Sequence, residues 1–363
     1  MPLLNGMNPQ QIQKAQATAQ NWGCDSAFAR ENQLEICLIL SLNSQTKTSR
    51  DTPACDSPLA GLTKHRRFNS AIAKYLHTDP LSRDTALAIA NCSQRLSLQF
   101  QLDGHSLGEP ELVNGILCNR RLCPFCEWRR TRIWRARLIK GLHSHAAENP
   151  KTSAIFLTLT MRNCQISELR EQIQHLHSSF KRLSLIKGFP SATWFRRTEI
   201  TIGKGNGVQE TLISPQFHPH IHALLLVKPS YWSRGYWSQL KWKKEWQMAA
   251  RLDYSPVIDI RRARSKNTSK QSNEDRNLAA TLEAAKYSTK ASDLIKIGSH
   301  LPDFNSAVRS LRLYGLSSKL RDYVNSADIS ADQLLDAIDS PSDQSFTAVA
   351  KWFEAIQEYR FDL

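Results

Sequence analysis

The chain has 363 residues, 41% of them apolar, which is enough for a full-sized core and at least one accessory module. It carries a formal charge of +15, from 48 Lys and Arg against 33 Asp and Glu. A chain charged in this way repels itself unless it meets a polyanion, and a DNA backbone is the usual partner.

The excess is uneven, because from residue 301 onward acidic residues outnumber basic ones by 10 to 6. The opening MPLLNGMNPQQIQK has no basic start followed by an apolar stretch, and no apolar run is long enough to span a bilayer. A cytoplasmic protein with no membrane partner is expected. Eight cysteines in a reducing compartment then point to metal ligation rather than disulfides.

In chain order, residues 1–42 read as one or two short helices without recognisable chemistry, and 41–58 as a polar, turn-rich linker. Residues 59–91 look helical and basic. A cysteine-containing segment, 92–126, runs into the basic stretch WRRTRIWRARLIK at 128–140. AIFLTLTM (154–161) alternates like a strand, 166–186 has helical spacing, and WFRRTEITI (194–202) and HPHIHALLLV (218–227) are further strands around a Gly-rich loop. Residues 237–251 form a Trp- and Lys-rich helix, PVIDIRR (256–262) a strand, and 277–290 a helix. This organisation suggests an extension and linker (1–58), a basic zinc-binding and DNA-binding region (59–150), a βαβ-like catalytic region (151–325) and an acidic helical tail (326–363). The fold class is α+β.

Cys118, Cys123 and Cys126 have the spacing of a zinc knuckle, C-x4-C-x2-C. Tetrahedral zinc needs a fourth ligand, for which Cys92 is the natural choice and His105 the reserve. One structural Zn2+ would rigidify a lobe presenting Arg129, Arg130, Arg132, Arg135 and Arg137 to phosphates, with Trp128 and Trp134 between them for stacking. Buried free thiols and a merely solvated basic helix are the plain alternatives.

In HPHIHALLLV, His218, His220 and His222 project from one face because strand side chains alternate. His220 and His222 are the better metal pair, since Pro219 interrupts the strand beside His218, which is left between an outer-shell and a structural role. Glu199, on the strand RRTEITI, is the candidate third ligand if the two strands pair. Two imidazoles and a carboxylate with open positions suit a divalent ion that polarises a phosphate oxygen, Mg2+ or Mn2+.

LEAAKYSTK (282–290) puts Glu283 and Tyr287 at i and i+4 on one helix face, with Lys290 on the same side and Lys286 offset from it. A phenol attacks only when cations hold the phosphate and favour the phenolate. The lysines supply such a field, and Glu283 is placed to act as a general base.

Taken in order, FLTLT, RRTEIT, FHPHIHALL, LDYSPVIDIRR, EAAKYSTK and RSLRLYG resemble the rolling-circle replication initiators of small plasmids, within the HUH endonuclease superfamily. The resemblance covers residues 90–325 and includes the segment around CPFC. It implies a central antiparallel sheet with flanking helices and the two histidines on a middle strand. It also implies that Tyr287 attacks origin DNA, single-stranded or extruded as a hairpin, to leave a 5′-phosphotyrosine and a free 3′-OH primer, with host helicase and DNA polymerase following. Glu283 matches the single-tyrosine branch, in which a Glu four residues earlier activates water at termination. Two readings stay open beside it: a single-strand HUH transposase, and a zinc-dependent DNA-binding repressor without catalysis.

Overall fold

In the computed structural model, residues 59–103, 106–107, 110–203, 215–262, 289–325 and 345–362 are described. Their elements are α1 (Ala60–His77), α2 (Arg83–Ala90), β1 (Arg95–Asp103), β2 (Ser106–Leu107), β3 (Glu111–Gly115), α3 (Pro124–Glu148), β4 (Ser153–Thr160), α4 (Leu169–Ser184), β5 (Thr193–Ile202) and β6 (Phe217–Val227). After these come α5 (Ser230–Ser233), α6 (Gln239–Ala249), β7 (Ile258–Arg262), α7 (Ala291–Ile297), α8 (Leu301–Val308), β8 (Tyr314–Leu316), α9 (Ser318–Asn325), β9 (Ser345–Phe353) and β10 (Glu358–Phe361). Helices and two antiparallel sheets make this the expected α+β fold. The described residues fall into two compact units. One takes in residues up to Ala73, Leu87–Cys126 and the chain from 345, and the other Lys74–Ala86 and 127–325.

In the first unit the sheet runs β10-β9-β1-β2, with β3 also paired to β1. Alternation along β1 turns Leu96, Leu98 and Phe100 inward, each fully buried. Leu96 and Leu98 lie opposite Ala350 and Ala348 of β9. Tyr359 and Phe361 of β10 close the same core. This corrects the acidic helical tail expected for residues 326–363, because 345–361 form two strands. The physical reason is the period-two pattern of Ala348, Ala350 and Trp352, all buried, which outweighs the local charge. Arg66 is wholly buried here. It donates to the Ala90 carbonyl at 2.6 Å and lies over the Trp352 ring at 5.0 Å.

In the second unit the sheet order is β7-β4-β6-β5-β8, every pair antiparallel, so β6 is central. The odd residues of β6, Ile221, Ala223, Leu225 and Val227, share an apolar cluster with Leu176, Phe180 and Leu183 of α4 and Trp242 and Trp246 of α6. Those two tryptophans are fully buried, and the Trp246 indole donates to the Thr160 carbonyl at 2.9 Å. Lys241 and Lys244 of α6 are exposed, so the helix is amphipathic. On the opposite face Leu224 and Leu226 pack with Phe156, Phe195, Leu138 and Leu142 of α3, and Leu320 and Val324 of α9. That apolar face gives way, two residues back along β6, to His222 and His220. Among the described residues no helix is long and apolar enough to cross a membrane.

His177 on α4 bonds to the Thr198 hydroxyl at 2.8 Å, and burial, assisted by the charge of Arg196, pushes its imidazole down to about 3. A folded value below the unfolded one means that the unfolded chain takes up the proton first. The stabilisation is therefore complete above about pH 6.5 and lost as pH falls toward 3. Between pH 7 and pH 5.5 this one group should cost about 1 kcal/mol, or about 2–4 °C in Tm. His177→Gln should flatten that slope in thermal melts across the interval. An unchanged slope would assign the pH dependence to other groups.

Candidate active site

Cross-strand register builds the site. One row across the sheet holds Thr158, His222 and Arg197, and the next holds Thr160, His220 and Glu199. All six stand on one face, the face covered further along by α3. Glu199 Oε2 lies 2.9 Å from His222 Nε2 and 3.6 Å from His220 Nε2, and the two Nε2 atoms are 3.2 Å apart. An ion with bonds of about 2.1 Å at right angles needs donors about 3.0 Å apart. The triangle therefore fits one divalent cation, and sites beyond the three donors remain for water or phosphate. The sequence-based trio of His220, His222 and Glu199 is brought together.

Each imidazole is oriented from behind. His220 Nδ1 donates to the His218 carbonyl at 3.0 Å, which leaves its Nε2 as a lone pair. His222 Nδ1 meets the Thr158 hydroxyl at 3.1 Å, a group that can donate or accept and so serves either tautomer. The His222 ring also stacks on Phe156, with centroids 5.3 Å apart. His218 thus contributes its carbonyl and a ring stacked on His220, and lies outside the donor cluster. Burial alone would raise the Glu199 carboxyl, but the contact with His222 and the neighbouring imidazole of His220 outweigh it and hold the group well below the usual carboxylate range.

Beside the trio lies an ionic cluster that the sequence reading missed. Arg197, buried on β5, bonds Glu127 Oε1 at 2.6 Å, while Arg130 holds the other carboxylate oxygen. Burial pushes the Arg197 guanidinium down, and Glu127 pulls it back toward its ordinary value. A carboxylate one helical turn before Arg130, in a helix otherwise rich in arginine, was the available signal. The five arginines expected to face phosphates are half-buried rather than fully exposed. Arg132 lies over Trp128 at 5.4 Å, and Arg135 Nε is buried without a hydrogen-bond partner among the described residues. Lys290 is exposed at the N-cap of α7. Glu283, Lys286 and Tyr287 lie outside the described residues, as does His105.

The four cysteines converge in the first unit. Cys92 Sγ is 3.5 Å from Cys126 Sγ, Cys118 Sγ is 3.7 Å from Cys126 Sγ, and all four sulfurs lie within 4.8 Å of one another. Zn–S bonds of about 2.3 Å in a tetrahedron place sulfurs about 3.8 Å apart, so the set fits a metal, with Cys92 as the fourth member. Backbone N–H groups of Cys118 and Asn119 point at Cys92 and Cys126 sulfurs. The positive φ of 54° at Asn119 makes that turn possible. Packed together, the thiols cannot all ionise by themselves. Hydrogen bonds among them hold Cys92 and Cys118 below the ordinary thiol value and push Cys123 and Cys126 above it. Asn69, facing Cys123 at 3.7 Å, is a neighbour that spacing alone could not reveal.

These features define an α+β protein in which two histidines and one carboxylate on the middle strands of an antiparallel sheet could hold a cation, as could a cluster of four thiols. A family model described as replication protein matches residues 109–360, more than two thirds of the chain, and the chain belongs to that family. It is similar to the Protein rep of Bacillus amyloliquefaciens, 31% identical over 294 residues that cover 75% of this chain and 83% of the relative. The Protein rep of Lentilactobacillus hilgardii is 32% identical over 232 residues, 62% of this chain and 68% of its own. That of Streptococcus pneumoniae is 29% identical over 268 residues, 72% and 73%. No solved structure matches the chain.

Two measurements probe these sites. Elemental analysis should find one zinc per chain, and Cys123→Ser should lose it together with fold stability; a zinc-free, equally stable preparation would refute the four-thiol site. Thr158→Val removes the group that orients His222 and should weaken Mn2+ binding about 10-fold or more in calorimetric titration. Unchanged affinity would mean that the hydroxyl does not position the imidazole.

Proposed function

We propose that this replication protein is a plasmid rolling-circle initiator that cuts one strand at the origin through Tyr287 and rejoins it at termination. The observation that carries the reading is the convergence of Glu199, His220 and His222 on one rigid sheet face, in a chain of the replication protein family. When bound there, Mg2+ or Mn2+ supplies Lewis-acid polarisation of a phosphate oxygen. The protein's own groups do the rest. Glu199 and the two imidazoles fix the position of that charge. Half-buried Arg130, Arg132, Arg135 and their neighbours Arg129 and Arg137 hold the DNA backbone, and Lys286 and Lys290 favour the phenolate of Tyr287.

In the cutting step the Tyr287 oxygen bonds to the scissile phosphorus as the bond to the 3′ oxygen breaks. The phenolic proton passes to solvent water as Lys286 and Lys290 favour the phenolate, and the leaving 3′ oxygen takes a proton from water to become the primer hydroxyl. One phosphodiester replaces another, so no external energy source is required, and the reverse transfer reseals the strand. At termination Glu283 deprotonates water, which lacks a base of its own. In this arrangement residues 59–150 bind zinc and DNA, residues 151–325 perform the chemistry, and host helicase and DNA polymerase extend the primer.

Incubating the protein with single-stranded origin DNA and Mg2+ should give a covalent protein–DNA adduct that Tyr287→Phe abolishes while DNA binding survives. An adduct formed by the Phe variant would move the nucleophile elsewhere, with Tyr254 and Tyr314 next in line. Glu283→Gln should retain the first cut yet accumulate plasmid multimers, read as the ratio of monomeric to multimeric product. Equal loss of both activities would place Glu283 in the first step.

A further inference from the structure

At the other end of the sheet lies a cavity of about 400 Å3 that the site above does not use. Lys228 at the end of β6, Arg234 after α5 and Lys319 on α9 line it, with Thr152 and Ser230 adding hydroxyls. No carboxylate is in its wall. The adjacent Glu148 accepts a hydrogen bond from the Tyr323 hydroxyl. Among the described residues none of the three cations has an ion-pair partner or a side-chain hydrogen bond, and all three are exposed. His145, also in the wall, is held below its ordinary value by burial and by the charge of Lys319. Three unpaired cations facing one concavity repel one another and tie no elements together. Their arrangement makes physical sense with an anion between them.

We propose that this cavity is a second DNA contact, which holds a phosphate of the strand whose scissile phosphate sits at Glu199, His220 and His222. The choice of DNA as the occupant rests on the replication reading above. The distance suits it: Leu226, in the cavity wall, lies on the strand that carries His220. Six residues of strand at about 3.3 Å separate the two by about 20 Å. A duplex advances about 3.4 Å per base pair along its axis, and an extended single strand about twice that per phosphate, so one DNA molecule is long enough to reach both places. The contact is to backbone and carries no base preference.

The test is a salt titration of binding to a fluorescent 40-nucleotide DNA of mixed sequence, single-stranded and duplex. It compares the full chain with a triple variant, Lys228→Gln, Arg234→Gln and Lys319→Gln. The slope of log affinity against log salt should shrink by about 1 on at least one of the two DNAs, as expected for the loss of one phosphate contact. Lys228→Arg with Lys319→Arg should keep the original slope, and thermal melts should superimpose because the replaced groups are exposed. An unchanged slope on both DNAs overturns the proposal. So does an unchanged slope accompanied by inorganic phosphate or ATP binding that only the triple variant loses, since the occupant would then be a free phosphate compound. Adduct formation on a 12-nucleotide strand centred on the cut separates the two readings. If wild-type protein forms no adduct but the slope still shrinks, only the nicking reading fails; if adducts form and the slope is unchanged, only the second contact fails.

Discussion

The pairing of β5 with β6 sets Glu199 opposite His220 and Arg197 opposite His222, and the candidate chemistry follows from that alignment. A slip of one residue would send Glu199 to the face filled by Phe180, Trp242 and Trp246, because strand side chains alternate. The slip is prevented by the same alternation. Ile221, Ala223, Leu225 and Val227 are buried on the far side, so a shifted β6 would expose its apolar set and bury its imidazoles. The register that builds the core therefore also aims the candidate metal ligands, and neither can be changed alone.

A second constraint is the cost of keeping charge next to that site. Arg197 is 6% exposed and would be unstable as an isolated charge, since burying an ion without a partner costs several kcal/mol. Glu127 resolves this by bridging Arg197 and Arg130, and leaves the local balance positive. The lone carboxylate of Glu199 then faces two imidazoles and a cationic surround. Such a field favours phosphate as well as a divalent ion.

The site was more legible in the sequence than the boundaries of the fold. Three histidines within five residues, on a strand with an apolar continuation, carry a strong period-two signal, and one glutamate on a neighbouring strand completes it. The cysteines were legible for a similar reason, since a short spacing with one distant thiol leaves few ways to close a tetrahedron. Glu127 and Thr158 were not, because their roles depend on which helix or strand lies opposite, a tertiary fact. The C-terminal strands were misread for a different reason: acidic residues dominate the composition there, while the alternation of Ala348, Ala350 and Trp352 is made of small or single large groups. Their partner strand β1 lies some 250 residues earlier in the chain, so local pattern could not reveal the pairing.

Among the described residues the edge strands of the sheet that carries His220 and His222 are short, and one of them is charged. β7 offers five residues ending in Arg261 and Arg262, with Asp259 paired to Arg261 at 2.7 Å, and β8 only three residues. Edges of this kind give a neighbouring chain little backbone to zip onto, and approaching copies meet like charge first. Copies of the chain brought close together would thus meet side-chain charge before free backbone, which keeps their sheets from fusing end to end.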